Sequence, residues 1–439
     1  MPRQGDYRLL RARSEISLAS DPGSSLQIVG HLALAIVLMP SRTGLSHVSQ
    51  PTKSTQVGDC TPPDEQAMTQ RIPFLDLRGA YDELQQEIDE AVRRVIASGW
   101  YIGGPELERF EAEFAAYCQA RHCVGAANGL EALQLILLAL GVGRGDEVIV
   151  ASNTFIATLL AVSATGACPV LVEPDPATHN LDSTRVEAAI TQRTKVVLPT
   201  HLYGQPADLD PLLAIADLNG IKLVEDAAQA HGARYKGRRI GAHGTAVAWS
   251  FYPGKNLGAM GDAGAVTTDD HNLASRIRML GNYGSRVKYV HDIKGMNSRL
   301  DAIQAAILSA KLPKLDEWNE RRRKVAAFYT DQLAGTGVET PFVPNWAEPV
   351  WHLYVVRSKK RATLQQVLGE AGVQTLAHYP VPPHLQRAYR DLDFGEGTFP
   401  IAEQLASEVL SLPMGPHLQL DSAARVAAAI RGAGVSVRP

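Results

Sequence analysis

The fold of this chain is decided by the stretch Trp249-Ser250-Phe251-Tyr252-Pro253-Gly254-Lys255-Asn256-Leu257-Gly258, where an apolar strand runs into a Pro-Gly turn. The turn presents one lysine, Lys255, and a glycine-rich run follows it up to Gly264. A lysine held between a buried strand and a constrained loop loses its proton readily, and a neutral amine attacks an aldehyde. We therefore predict that Lys255 carries pyridoxal phosphate (PLP).

The composition excludes several classes of protein. The chain has 439 residues, of which 45% are hydrophobic and 20% are charged, as in ordinary globular proteins. Its formal net charge of -3 provides no basic field for nucleic acid or acidic lipid. Four irregularly spaced cysteines match neither a disulfide framework nor a zinc motif. These features favour a protein of the reducing cytoplasm.

Residues 1–67 differ in character from the rest of the chain. Arginines precede an apolar stretch over 26–39, which is too short to span a bilayer and is interrupted by Gly30 and His31. A signal peptide is one alternative for this segment. We predict instead a disordered or spurious N-terminal extension, with Met68 as the natural start.

Around the lysine stretch, apolar segments alternate with helical patterns. Two helices are predicted first, one over 74–98 and one from Pro105 onward. Strands and helices then alternate over 122–268, which predicts a mostly parallel sheet covered by helices on both faces. In such α/β sheets, ligands bind beyond the carboxyl ends of the strands.

The same patterns divide the remaining chain into two domains. A PLP-binding large domain with N-terminal helices is predicted over 68–335, and it ends in a helical segment over 300–333 that Pro313 breaks. Residues 336–439 change character and predict a small C-terminal α+β domain, with a helix over 401–410.

Two polar residues follow the strand that precedes the lysine stretch. Asp226 ends that strand, and a carboxylate there can keep the pyridine nitrogen of PLP protonated. The alternative is that Asp226 only caps a helix. Gln229 is placed to touch the phenolic oxygen of PLP, and its alternative is a surface turn.

Candidates for the phosphate and for the ring face lie at other strand ends. Asn128-Gly129-Leu130 joins a strand to a helix, whose amino end attracts an anion, and Ser250 offers a hydroxyl to the same phosphate. Phe155 begins another helix after a strand. It could stack on the pyridine ring, or it could form a hydrophobic staple.

Four motifs together carry a family resemblance. They are Phe74-Leu75-Asp76-Leu77, Val224-Glu225-Asp226-Ala227-Ala228-Gln229-Ala230-His231-Gly232, Ser250-Phe251-Tyr252-Pro253-Gly254-Lys255-Asn256-Leu257-Gly258 and Asn297-Ser298-Arg299-Leu300-Asp301-Ala302-Ile303-Gln304-Ala305-Ala306. In the order and spacing of these motifs, the chain resembles the DegT/DnrJ/EryC1/StrS sugar aminotransferases from about residue 72 to its C-terminus. The resemblance implies a type I PLP-dependent aminotransferase fold that works as a homodimer with shared active sites.

The resemblance also implies roles for single residues. Lys255 would bond covalently to PLP, Asp226 would pair with the pyridine nitrogen, and Gln229 would contact the phenolic oxygen. The backbone amides of Gly129 and Leu130 would hold the phosphate. The remaining phosphate ligands would be Ser250 and an Asn297 from the partner subunit. Many relatives have Ser or Thr beside the phosphate-binding glycine, so backbone donors carry more of the binding here.

Within the family, the chain is most similar to enzymes that aminate nucleotide-linked 3-keto-6-deoxyhexoses. The segments behind this likeness span residues 283–289, 295–301 and 377–384. His378 and Tyr379 would lie near the hexose, and Arg286 and Lys288 would contact the diphosphate. The alternative for the proline-rich 377–384 segment is a rigid loop. No carboxylate or cysteine near His378 completes a metal site.

The implied reaction is a ping-pong transamination from L-glutamate to C3 of a TDP-linked keto-6-deoxyhexose. Three rival functions stay open at this point. Some relatives of the same fold dehydrate sugars, but they replace the cofactor lysine that Lys255 retains. An NAD-dependent oxidoreductase would require a G-x-G-x-x-G motif, which the chain lacks. A non-catalytic PLP-binding protein would keep the lysine without turnover.

Overall fold

The computed structural model describes residues 71–433, so the predicted extension over 1–67 lies outside the described residues. The helices are α1 Arg78–Glu83, α2 Gln85–Ser98, α3 Pro105–Tyr117, α4 Gly129–Ala139, α5 Ile156–Ala164, α6 Ser183–Ala189, α7 Leu209–Asn219, α8 His271–Gly281, α9 Ala302–Lys311, α10 Leu315–Leu333, α11 Arg361–Glu370, α12 Pro400–Glu408 and α13 Leu420–Gly432. The strands are β1 His122–Ala126, β2 Glu147–Ala151, β3 Cys168–Val172, β4 Thr194–Leu198, β5 Lys222–Asp226, β6 Arg234–Tyr235, β7 Arg238–Arg239, β8 Ala246–Ser250, β9 Gly264–Thr268, β10 Ser285–Val287, β11 Val290–His291, β12 Ala347–Glu348, β13 Tyr354–Arg357 and β14 Val409–Leu412.

A seven-stranded sheet in the order β1-β9-β8-β5-β4-β2-β3 is the largest sheet within residues 71–433. Its neighbouring strands are parallel except at β9, which is antiparallel to both β1 and β8. Two clusters of buried apolar residues, one on each face, cover the sheet. The predicted parallel-dominated α/β sheet is confirmed.

Local signals in the sequence account for several helix ends. Gly99 adopts a left-handed conformation (φ 65°) and stops α2, while Pro105 occupies the first turn of α3. Pro313 turns the chain into a short 3-10 segment over Leu312–Lys314, which separates α9 from α10. The helix α8, which follows β9, was not anticipated, although the Asp270 carboxylate caps it by accepting from the N–H groups of Asn272 and Leu273.

A second sheet and a second core form the C-terminal part of the structure. The strands β13 and β14 pair antiparallel, and helices α10, α11 and α13 cover them with buried side chains such as Tyr329, Leu364 and Val426. The prediction of a helix over 401–410 was wrong at its end, because α12 stops at Glu408 and the next residues form β14. Within 71–433, no helix combines the length and apolar character needed to cross a membrane.

Candidate active site

Lys255 follows the carboxyl end of β8 in a tight turn, where its N–H donates to the carbonyl of Tyr252 at 2.8 Å. Its half-buried side chain has a pKa lowered to about 8 by desolvation, although the nearby charge of Asp226 acts in the opposite direction. The next residue, Asn256, is buried and donates from Nδ2 to Asn319 Oδ1 (2.9 Å) and to the carbonyl of Val350 (2.8 Å). The lysine therefore stands on a fixed backbone with its neutral amine populated near neutral pH.

Asp226 ends β5 with a carboxylate that is only 6% exposed. It accepts hydrogen bonds from Thr158 Oγ1 (2.8 Å) and from the N–H of Ala228 (3.1 Å), which are both neutral donors. No lysine, arginine or histidine among residues 71–433 forms a salt bridge with it. The carboxylate is therefore available to a cationic N–H group placed in the cleft.

Tyr379 brings the predicted residues Gln229 and Phe155 together. The side-chain oxygen of Gln229 accepts from the N–H of Tyr203 (2.7 Å), so its Nε2 is the group that donates to the Tyr379 hydroxyl (3.3 Å). The Phe155 ring, at the start of α5, lies 5.0 Å from the Tyr379 ring, centroid to centroid. Gln229 is buried, so it is not part of a surface turn.

The turn before α4 has the form of an anion site. Asn128 caps the helix by accepting from the N–H of Glu131 (2.9 Å), while Gly129 and Leu130 occupy the first two helical positions, whose N–H groups have no acceptor within the helix. A Cβ atom at Gly129 would lie 2.6 Å from Ser250 Cβ. Glycine therefore lets the helix end approach the carboxyl end of β8, where Ser250 lies.

His378, one of the two residues predicted to lie near the hexose, is a neutral imidazole. Burial and the positive charge of Lys255 lower its pKa to about 4, so the imidazole is neutral at neutral pH. Its Nδ1 lies 2.8 Å from Ser411 Oγ. His378 and Tyr379 thus lie close enough to Lys255 and Asp226, respectively, for their charges to interact.

The other predicted residues, Arg286, Lys288 and Asn297, are exposed. Arg286 and Lys288 belong to the β10–β11 hairpin, and Lys288 lines a cleft of about 640 Å³. Asn297 is exposed and forms a bridge with Asn282. Within residues 71–433, no hydrogen bond or salt bridge joins these three residues to Lys255.

Comparisons with known proteins identify the family of the chain. The model of the DegT/DnrJ/EryC1/StrS aminotransferase family matches residues 82–431 of the chain. The chain belongs to this family. A relative from Saccharopolyspora erythraea, called erythromycin biosynthesis sensory transduction protein EryC1, is 59% identical over 361 residues, which are 82% of this chain and 99% of that protein.

Two further comparisons support the aminotransferase assignment. The dTDP-3-amino-3,4,6-trideoxy-alpha-D-glucose transaminase of Streptomyces venezuelae is 57% identical over 366 residues, or 83% of this aminotransferase and 97% of the relative. The X-ray structure of S. venezuelae DesV in complex with a ketimine intermediate has a TM-score of 0.82 and 57% identity. The match covers 83% of this chain and 98% of the chain in that structure. The predicted type I PLP-dependent aminotransferase fold is confirmed.

The aminotransferase site also contains residues that the sequence did not single out. Thr158 holds the Asp226 carboxylate from one turn into α5, and Tyr203 holds the Gln229 amide from the segment after β4. Both are long-range contacts without a motif of their own. For Thr158, the one available signal was its position three residues after Phe155, which places both residues on the same side of α5.

Proposed function

We propose that this aminotransferase moves an amino group from L-glutamate, through PLP, to C3 of a TDP-linked keto-6-deoxyhexose. The observation that carries the proposal is the proximity of Lys255, whose pKa is lowered to about 8, to the buried Asp226, whose hydrogen-bond donors within residues 71–433 are neutral. The substrate follows from the relative named as a dTDP-3-amino-3,4,6-trideoxy-alpha-D-glucose transaminase, at 57% identity.

The residues present fit PLP. The first-turn amides of α4 and the Ser250 hydroxyl suit its phosphate, since Gly129 leaves space that a Cβ atom would fill. Asp226 offers a buried carboxylate to the pyridine nitrogen, and Gln229 Nε2 offers a donor to the phenolic oxygen. When bound, PLP supplies the electron sink that stabilises negative charge on the reacting carbon.

The side chains of this protein then bind the substrates and transfer protons. Lys255 Nζ, unprotonated at the pH of the cytoplasm in part of the molecules, removes the proton from the α-carbon of the amino donor. In the second half of the reaction it gives a proton to the sugar carbon that acquires nitrogen. His378 and Tyr379 orient the hexose, and the neutral state of His378 avoids a second positive charge beside Lys255.

A homodimer is the second part of the proposal. Trp100, Tyr101 and Ile102 are each about half exposed, and Tyr289 at the tip of the β10–β11 hairpin is 84% exposed. Ile102 and Tyr289 line the same cleft. Exposed apolar surface of this kind marks a protein interface. It supports a second copy of the chain at this face, with Asn297 and the hairpin reaching the partner's phosphate and diphosphate groups.

A cytoplasmic location completes the proposal. Within the described range, Cys118, Cys123 and Cys168 are free thiols. Burial raises the pKa of the Cys118 and Cys123 thiols, so they are unreactive core residues. Free thiols are the ordinary state in a reducing compartment.

A non-catalytic sensor is the rival that a specific observation favours, because the relative at 59% identity is named a sensory transduction protein. A sensor would bind PLP at Lys255 but would not need an amine that transfers protons or side chains that orient the hexose. The lowered pKa of Lys255 suits covalent PLP binding in either case, whereas the contact of Tyr379 with Gln229 favours catalysis. Turnover of L-glutamate distinguishes the two functions.

The test begins with the visible absorbance of the purified protein carrying PLP. Addition of L-glutamate is expected to convert it to the pyridoxamine form, and Lys255→Ala is expected to lose both the lysine-bound absorbance and the conversion. A Lys255→Ala protein that retains both would refute the central assignment. NMR of the product made from TDP-linked 3-keto and 4-keto 6-deoxyhexoses then identifies the aminated carbon, and amination at C4 alone would exclude the C3 substrate.

A further inference from the structure

A short turn after β4 touches both the cofactor side and the sugar side of the proposed site. Leu202–Gly204 form a single 3-10 turn, and Tyr203 within it has a left-handed backbone with φ 60° and ψ 9°. This conformation is strained for a tyrosine, and it persists only where surrounding contacts hold it. The contacts of the turn therefore identify the residues that hold Tyr203 in this conformation.

The backbone of the turn is hydrogen-bonded both to Gln229, after β5, and to Val350, before β13. The N–H of Tyr203 donates to Gln229 Oε1 at 2.7 Å, and the carbonyl of Gly204 accepts from the N–H of Val350 at 2.9 Å. A Cβ atom on Gly204 would lie 2.8 Å from the backbone nitrogen of His352. The turn thus packs directly against the segment that leads into β13.

The side chain of Tyr203 reaches the predicted sugar-binding segment. Its hydroxyl donates a hydrogen bond to the carbonyl of His378. Burial, and the neighbouring Tyr379, raise the pKa of the Tyr203 hydroxyl, so it stays protonated and acts as a donor. The ring meets the His179 ring edge-on, with centroids 5.9 Å apart.

We propose that Tyr203 is a positioning residue that sets the hexose-facing pair His378 and Tyr379 against the cofactor-facing Gln229, and thereby determines affinity for the sugar. The inference rests on the proposed function. The contacts form a closed ring: Tyr203 holds Gln229 by its N–H, Gln229 Nε2 donates to Tyr379, and Tyr203 holds the residue before Tyr379 by its hydroxyl.

Tyr203→Phe tests the proposal, because it removes the hydroxyl and keeps the ring and the backbone N–H. The probes are TDP-3-amino-3,6-dideoxyglucose and L-glutamate, which each convert the PLP form to the pyridoxamine form in a single turnover. The concentration of amino sugar that gives half the maximal rate is expected to rise about tenfold, since the partly buried His378 carbonyl loses its donor. The maximal rate, and the half-saturating concentration of L-glutamate, are expected to change by less than about threefold.

Tyr329→Phe is the matched control. The Tyr329 hydroxyl is also buried and donates to a backbone carbonyl, that of Pro413, within the C-terminal core. It should cost similar stability in thermal unfolding but leave the half-saturating concentration of the amino sugar unchanged. TDP alone, which lacks the hexose, should bind Tyr203→Phe and the parent equally.

Three results would overturn the inference: an unchanged response of Tyr203→Phe to the amino sugar, an equal rise for L-glutamate, or an equal loss of TDP affinity. A parent protein that reacts with neither probe would instead refute the proposed function. The two failures are therefore distinguishable.

Discussion

At the scale of single residues, the charge state of Lys255 is set by two opposing effects. Desolvation lowers its pKa to about 8, and the Asp226 carboxylate raises it. Asp226→Asn removes the charge that favours the ammonium form, so the pKa of Lys255 is expected to fall below that of the parent. Competitive acetylation of the cofactor-free protein across a pH series, read by mass spectrometry at Lys255, measures both values.

Asp210→Asn provides the control for this pKa prediction. Asp210 is an exposed carboxylate that pairs with Lys236 on the surface. Its removal should leave the acetylation midpoint of Lys255 unchanged. A midpoint that stays the same or rises in Asp226→Asn would mean that the aspartate does not act on the lysine as the geometry indicates.

Gly129 is the residue at which a single methyl group should weaken cofactor binding. In Gly129→Ala the new Cβ would lie 2.6 Å from Ser250 Cβ and 3.2 Å from Ser250 Cα, so the start of α4 must shift away from β8. Loss of one amide contact to a phosphate costs about 1.5–3 kcal/mol. Fluorescence titration of cofactor-free protein with PLP is expected to show an affinity at least about tenfold weaker.

The matched substitution is Gly369→Ala, in the last turn of α11, where an added Cβ has no neighbour within 4 Å. It should leave PLP affinity unchanged and stabilise the fold by up to about 1 kcal/mol, because alanine favours the helix. An unaltered PLP affinity in Gly129→Ala would argue against phosphate binding at this turn.

At the scale of elements, the sequence predicted the sheet and its helices because their signals are local. Pro105 and Gly99 mark helix ends by their own backbone preferences, and short apolar runs mark buried strands. The strand β14 was predicted as helix because its residues continue the apolar pattern of α12. Only pairing with β13, more than fifty residues earlier, makes Val409–Leu412 a strand.

The same distinction explains which residues of the candidate site have a signal in the sequence. Lys255, Asp226 and Gly129 sit in motifs at the ends of strands, where the fold itself gathers ligands. Tyr203 and Thr158 act through hydrogen bonds to residues far along the chain, and no local pattern identifies such partners. Whether Asn297 acts across a subunit interface is likewise a property of an assembly, which periodicity does not encode.

Glu83, at the end of α1, connects three elements. Its carboxylate accepts from Arg321 and Trp318 on α10 and pairs with His417, which precedes α13. Desolvation alone would raise its pKa, but these hydrogen bonds outweigh that effect and lower the pKa to about 2. Glu83→Gln is expected to lose about 1–3 kcal/mol of stability at pH 7, measured by urea unfolding.

The sign of the pH dependence follows from the lowered pKa of Glu83. The ionised contacts contribute fully above the ordinary pKa of about 4.5, and their contribution is lost as the pH falls toward about 2. The stability difference between parent and Glu83→Gln should therefore shrink over that range. The control is Glu317→Gln, which removes the exposed partner of Arg321 and should have little effect on stability at any pH. A stability difference between parent and Glu83→Gln that does not change with pH would contradict the ion-pair account.

At the scale of the whole molecule, the predicted site residues fall into two groups. Lys255 and Tyr379 both lie close enough to Asp226 to interact with its charge, whereas Asn297 and the β10–β11 hairpin lie beside exposed apolar residues. Ser298, next to Asn297, accepts from the N–H of Ala127 of the same chain at 3.2 Å. Asn297 thus lies close to the residue that follows β1, just before the phosphate turn.

Mixing two inactive variants tests the proposed homodimer directly. Lys255→Ala lacks the reactive amine, and Asn297→Asp would repel the cofactor phosphate. If each site takes Lys255 from one subunit and Asn297 from the other, a mixed dimer carries one intact site and one doubly altered site. Unfolding and refolding an equal mixture should then restore about one quarter of the parental transaminase activity, because half of the dimers are mixed.

Separately refolded variants are the control, and each should stay inactive. If Asn297 served the cofactor of its own subunit, each site in a mixed dimer would carry one substitution and mixing would restore nothing. If mixing restores no activity and light scattering shows a monomer, the proposed dimer is refuted. If mixing restores no activity and light scattering shows a dimer, only the assignment of Asn297 to the partner's site is refuted. The experiment therefore separates the assembly from the division of the site between its subunits, because only a site built from both chains can be repaired by exchanging them.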